Sequence, residues 1–264
     1  MQLTHGRTSD LTVTAVRDLR ITKGSAGAHA FECDDGQVYF VKFKDGTRTV
    51  VNEHLGFSLA RFLELPVPES CHVMVPQSLI DASAELRARG ITAGEHHGTR
   101  RMEACVDFRG LVVRNLVLAN ADTLPGLVVL DNLVLNMDRN NPGNNLLQTM
   151  PSGSLEFRTV DFNEILSGRN WTVETMEIAK RTSYLMPVFP TIALPVKGLP
   201  SFSPWLEKTE SISSEDVDQM LSGIPASWDL GEAGRTAILD FLLTRKDMVR
   251  AILTANKSRF LNWR

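Results

Sequence analysis

Leu127-Val-Val-Leu-Asp131-Asn-Leu-Val-Leu135-Asn-Met-Asp138-Arg139-Asn-Asn-Pro-Gly-Asn144-Asn145-Leu-Leu147 is the stretch on which the reading of this chain turns. Its first half is almost wholly apolar and suits a buried helix, placed at 126–137. Its second half is a polar knot of one carboxylate, one guanidinium and several amides around Pro-Gly. Leu146 and Leu147 continue as a strand, Pro151-Ser-Gly-Ser154 turns the chain, and Leu155 to Val160 returns it to Asp161-Phe162-Asn163. A buried helix therefore delivers Asp138 to a loop, and a hairpin brings back a second carboxylate. Acid and amide oxygens on rigid supports are what a magnesium–nucleotide site requires.

Before this stretch the signals are mostly β. Leu11, Val13 and Ala15 alternate with polar residues, as in a half-buried strand. Lys23-Gly24-Ser25-Ala26-Gly27 is a small-residue turn into a second strand, Ala28–Cys33, closed by Asp34-Asp35-Gly36. Gln37 to Lys44 is a third strand, closed by Asp45-Gly46. A helix of roughly 16 residues then starts at Thr47 or Thr49. Its core stripe is Val51, Leu55, Leu59, Phe62 and Leu63, and Pro66 and Pro68 end it. Glu69–Val75 is predicted as a strand, Pro76–Arg89 as a polar helical insertion, Gly94–Arg100 as a loop and Met102–Phe108 as a short strand.

After a lobe boundary placed near 106–110, helices take over. They are expected at 110–120, at 126–137, after the capping residue Ser213, and near 232–244 and 246–256. A proline-rich passage, Pro187–Pro204, reads as irregular. Strands, one helix, strands and then helices make an α+β chain of two lobes, 1–108 and 109–264, with a cleft between them.

The totals narrow the function. A formal charge of -3 and a pI near 6.1 give no electrostatic case for direct nucleic-acid binding or an anionic membrane. Cys33, Cys71 and Cys105 are scattered and lack metal spacing, as reduced core thiols would be. The start of the chain shows no hydrophobic leader, and no apolar run approaches the roughly 20 residues of a membrane span. The expected location is the cytoplasm.

Single residues carry two readings each. Lys42 shares a strand face with Phe40 and Lys44, so it is either a solvated lysine or one aimed into the cleft at phosphates. Glu53 shares its helix face with Gly56, Phe57 and Ala60, as a boundary glutamate or as the partner that fixes Lys42. Gly24-Ser25-Ala26-Gly27 is an ordinary hairpin turn or a cradle of backbone N–H groups for phosphate. Asp138 either pairs with Arg139 structurally or takes the proton of an attacking hydroxyl. A carboxylate ill suits a helix C-terminus, which favours the second reading. Asn144 and Asn145 are loop formers or amide ligands for Mg²⁺; Asp161 is an Asx-turn residue or a metal carboxylate. His72, His96 and His97 lack metal-binding partners at suitable spacing, and His96 and His97 read as loop histidines. Asp131 and Asn136 read as hydrogen-bonding core residues.

The order of these residues resembles the protein-kinase-like superfamily. Asn52-Glu53-His-Leu, Leu65-Pro-Val-Pro-Glu69, Gly94-Glu-His-His-Gly-Thr-Arg100, Asn136-Met-Asp138-Arg139 through Asn-Leu-Leu, and Ile224-Pro-Ala-Ser-Trp228 are most similar to the HipA-like kinases. The resemblance implies a bilobal fold, with an antiparallel β-sheet N-lobe and a mainly helical C-lobe. It implies an ATP- and Mg²⁺-dependent serine/threonine protein kinase with Asp138 as catalytic base. Lys42 would lie on the α/β-phosphates, held by Glu53, with residues 24–27 as phosphate loop. Asn145 and Asp161 would bind the metal, and Asn144 is the second choice. Partners implied are a hydroxyl-bearing protein substrate and a regulatory, antitoxin-like protein. The chain departs from the kinase pattern at Gly143, where kinases place the metal asparagine, and at Asn163, which replaces the glycine of Asp-Phe-Gly. Those departures keep a non-transferring pseudokinase open, and a small-molecule kinase remains a third reading.

Overall fold

The computed structural model describes residues 11–23, 27–108, 117–187 and 190–264. Alternating apolar residues form five strands in the N-terminal half: β1 (Thr12–Lys23), β2 (Ala28–Cys33), β3 (Val38–Lys42), β4 (Ser70–Val75) and β5 (Gly94–Arg100). They close a barrel in the order β1-β2-β3-β5-β4. Val13, Phe31, Tyr39, Val41, Val73 and Val75 form part of its apolar core. Four of the pairs are antiparallel, as expected, and a parallel pairing of β1 with β4 closes the sheet into the barrel. Closure leaves the five strands without a free edge to aggregate.

Helix α1 (Thr49–Phe62) is buried at every position from Thr49 to Ala60. One apolar stripe understated it, because the helix touches both the barrel's β5 and the later helices. Two short helices follow β4, α2 (Gln77–Ala82) and α3 (Ala84–Ala88). A second sheet, ordered β6-β7-β8, contains β6 (Cys105–Asp107), β7 (Asn145–Thr149) and β8 (Leu155–Thr159). The buried helix is α4 (Leu124–Val134), enclosed along its whole length. It ends at Leu135, whose φ of +54° breaks the helical run. The rest is helical: α5 (Val173–Ala179), α6 (Pro190–Ala193), α7 (Ser203–Glu210), α8 (Ser214–Ser222), α9 (Gly231–Lys246) and α10 (Val249–Ala255). Arg245 of α9 is wholly buried and donates to Leu133 O at 2.9 Å and Asn132 O at 3.1 Å. A cation thus satisfies the carbonyl end of α4, where the helix dipole is negative. The chain is α+β, with a sheet-rich N-terminal half and a mostly helical C-terminal half. Among the described residues no helix is long and apolar enough to cross a membrane.

Four expectations need correction. Gly94–Arg100 is a strand, not a loop; its run of Gly and His carries no β pattern, yet β3 and β4 hydrogen-bond it from both sides. Gly98 is required there, because a Cβ would stand 2.3 Å from Val73 Cγ2. His96 and His97 are accordingly buried strand residues. The strand expected at Met102–Phe108 shrinks to β6. Of the helix expected at 110–120, residues 110–116 lie outside the described residues; 117–120 hold a β-bridge at Leu118 and a turn. Within Pro187–Pro204 lie α6 and the start of α7, because a proline at a helix's first turn starts it rather than breaking it.

Barrel and helical half meet over a group of rings. His54 of α1 stands 5.6 Å from His72 and 6.1 Å from Trp228, and its Nε2 pairs with Met220 O at 2.9 Å. Burial, with His72 and Arg61 nearby, pulls the His54 imidazole down to about 4. The unfolded chain takes up that proton as pH falls through about 6.5, while folded His54 stays neutral until about 4. Its contribution to stability is therefore complete above the first value and is lost on descending to the second, by ~1.4 kcal/mol per pH unit. Urea unfolding across that window should show a pH slope flatter by about one proton in His54→Gln. An unchanged slope would refute the assignment.

Candidate active site

A cleft of about 730 Å³ is lined by residues of the barrel, the 99–107 connection and the second sheet. The alternation of β3 decides what enters it. Tyr39 and Val41 are buried on the core side, so Phe40 and Lys42 fall on the opposite face, where they line the cleft.

Lys42 is no solvated lysine. Its Nζ stands 2.6 Å from Glu53 Oε1 and 2.6 Å from Asp161 Oδ1. Glu53 is 1% exposed, and the same Oε1 accepts the Phe162 backbone N–H at 2.8 Å. One ammonium serves two acids, and they respond differently. Burial pushes Glu53 up to about 7 against the pull of Lys42. Burial acts upward on Asp161 too, but the Lys42 charge outweighs it and holds that carboxyl below its usual range. Burial opposes the charge on Lys42, yet Asp161 and Glu53 raise it to about 12. The cleft therefore keeps a fixed positive charge, with Asp161 ionised beside it.

The polar loop after α4 is ordered by Arg139. This side chain is 1% exposed and pairs with Asp131 of α4, Nε to Oδ2 at 3.0 Å. Its Nη1 donates to Asn144 O and Val160 O, both at 2.8 Å, tying the loop to the residue before Asp161. Asn136 joins Asp131 at 3.0 Å. Arg139 pairs with Asp131 rather than with Asp138, so the structural reading of Asp138 loses its expected partner. Asp138 is half-buried and accepts from Asn144 Nδ2, at 2.9 Å on Oδ2 and 2.7 Å on its backbone O.

The two asparagines diverge. Asn144 lines the cleft together with Asp161, Gly143 and Leu146. Its nitrogen is committed to Asp138, so its carbonyl oxygen is the end left to meet a cation. Asn145 is fully buried, donates to Arg139 O at 2.9 Å, and leaves its Oδ1 without a donor. The Asp161 carboxylate and the Asn144 amide are hard oxygen donors, the set that suits Mg²⁺. Gly24, Ser25 and Ala26 of the expected phosphate loop lie outside the described residues. Gly27 is described, with φ +63° and the Arg89 guanidinium so near that a Cβ would meet it at 2.7 Å.

Two features escaped sequence reasoning. Arg139 finds its carboxylate eight positions back, across a helix end, where no local pattern points. Asn52 is wholly buried beside Glu53 and bonds the loop that follows Asp161; its adjacency to Glu53 was the available signal.

A family model described as HipA-like kinase matches residues 14–186. The crystal structure of a Helicobacter pylori proinflammatory kinase, CtkA, is similar with a TM-score of 0.57 at 12% identity, covering 95% of this chain and 99% of that one. A crystal structure of the Golgi casein kinase is similar with a TM-score of 0.50 at 11% identity, covering 94% of this chain and 74% of that one. At such identities the likeness shows the fold alone. No curated protein matches the sequence.

Proposed function

The chain belongs to the HipA-like kinases, and on that premise we propose that it transfers the γ-phosphoryl group of ATP to a serine or threonine hydroxyl of a protein. The observation that carries the reading is Lys42 fixed at 2.6 Å from both Glu53 and Asp161, on a cleft that Asn144 also lines. Phosphoryl transfer asks for positioning and charge neutralisation more than covalent chemistry. Lys42 places its ammonium on the nucleotide phosphates, and Glu53 keeps it there. Asp161 and Asn144 would hold Mg²⁺, which supplies neutralisation of phosphate charge when bound. Asp138 orients the acceptor hydroxyl and takes its proton. The acceptor oxygen bonds to the γ-phosphorus, the bond to the β–γ bridging oxygen breaks, and ADP leaves.

Two measurements test this. Mg·ATP should raise the melting temperature of the wild type, by linkage of about 2.7 kcal/mol at a hundredfold excess over Kd. Asp161→Asn keeps an oxygen for Lys42 but removes the carboxylate, so its nucleotide response should lose its Mg²⁺ dependence. A response like that of the wild type would place the metal elsewhere. Mass spectrometry of candidate acceptors after incubation with Mg·ATP should find phosphate on serine or threonine. Phosphate found only on small molecules would move the acceptor class, and none on any acceptor would leave a nucleotide binder.

A further inference from the structure

The loop Asp161–Gly168 has no strand or helix of its own, and Asp161 sits at φ +64°. A non-glycine residue in the left-handed region persists where its surroundings over-determine it. One face of α1 does so. Asn52 Nδ2 donates to Asn163 O at 2.7 Å and lies 3.4 and 3.5 Å from Ile165 O and Gly168 O. Its Oδ1 accepts from Trp171 Nε1 at 2.8 Å. One turn earlier Arg48 donates its backbone N–H to Arg169 O at 2.7 Å and lays its guanidinium over the Trp171 ring. One turn later Gly56 leaves room for Phe162, whose Cβ would stand 2.3 Å from any Cβ at position 56. Positions 48, 52 and 56 follow the helical repeat and share a side.

We infer that Asn52 is a positioning residue: it clamps the 161–168 loop onto α1 and thereby fixes the Asp161 carboxylate for its metal. Only the purpose of that fixation rests on the phosphotransferase reading. The clamp itself follows from neighbouring helix residues, Asn52 and Glu53, bonding Asn163 O and the Phe162 N–H on either side of one peptide unit. Swinging α1 away would break both bonds and take from the Asn163 carbonyl and the Phe162 N–H the side-chain partners they have here. Those two bonds hold α1 against the loop in the nucleotide-free chain.

Two variants separate the clamp from mere stability. Asn52→Asp keeps an acceptor for Trp171 but turns the donor facing Asn163 O into another oxygen. Gly56→Ala improves the helix's own propensity while pushing Phe162 off it. In the nucleotide-free protein, the Phe162 amide should exchange hydrogen about tenfold faster in each variant, the scale of one lost buried hydrogen bond. Amides of Val41 and Val73 in the barrel should keep their wild-type rates. The Mg²⁺ concentration giving half of the nucleotide-induced melting shift should rise several-fold in both. If Asn52→Asp exchanges faster everywhere, Gly56→Ala decides. Wild-type exchange at Phe162 with unchanged Mg²⁺ dependence in a folded variant overturns the clamp. A wild type without any Mg·ATP response would instead sink the functional reading, and the exchange data would still judge the clamp.

Discussion

Asp138→Ala should lower phosphoryl transfer by about 10²- to 10⁴-fold, the usual worth of a positioned general base, while moving the melting temperature by only a few degrees. The small stability effect follows from what the carboxylate touches. Arg139, the obvious structural partner, is committed to Asp131. What alanine removes is one bond, Asn144 Nδ2 to Asp138 Oδ2 at 2.9 Å. The bond from the same nitrogen to the Asp138 backbone carbonyl, at 2.7 Å, survives. One lost hydrogen bond at a half-buried site costs about 0.5–1.5 kcal/mol, or roughly 2–4 °C per kcal/mol in a domain of this size. Labelled-ATP transfer and thermal melting on the same preparation check both halves. Full transfer by the variant would take the base role from Asp138. Lost transfer together with a collapsed melting temperature would make the residue structural.

How much of this site can be read in advance depends on whether a local pattern reaches it. Strand alternation puts Lys42 on the face of Phe40, away from Tyr39 and Val41, but a solvated lysine fits that spacing as well, and only the fold sets Glu53 and Asp161 2.6 Å from its Nζ. Asp161 could be placed just after a strand that returns from a turn, where an Asx-turn residue was an equal reading until the fold set Lys42 beside it. Glu53 was marked only by the small neighbours on its helix side, which a boundary glutamate would share. The choice between Asn144 and Asn145 was not legible. A short 3-10 turn, Pro142–Asn144, precedes β7, so strand periodicity cannot be carried back to Asn144, which lines the cleft while Asn145, before Leu-Leu, is fully buried. β5 was missed for a related reason: His96 and His97 are in a strand because β3 and β4 flank it, and tertiary context overrides propensity there. The barrel's closure likewise depends on β1 meeting β4, a parallel pairing across most of the N-terminal half that no turn announces.

Asp131→Asn should be among the most destabilising single substitutions in the chain, at about 3–5 kcal/mol. The carboxylate and guanidinium are 3% and 1% exposed, so removing one charge strands the other in an interior that cannot solvate it. The loss propagates because Arg139 also holds Asn144 O and Val160 O and packs 5.2 Å over the Phe162 ring. Through these contacts one buried side chain sets the spacing between the Asn144 loop and the Asp161 loop. The double variant Asp131→Leu with Arg139→Met removes both charges and should recover part of the stability, because a buried pair is costly chiefly when half of it is missing. It should recover little binding of Mg·ATP, since Val160 O loses its donor and the Asn144 and Asp161 loops lose their tie. Denaturant midpoints for Asp131→Leu, Arg139→Met and the double, with nucleotide-induced melting shifts on each, separate these effects. Additive losses in the cycle would show that the pair is two independent core contacts, and undiminished binding in the double variant would show that the loops find their spacing without it.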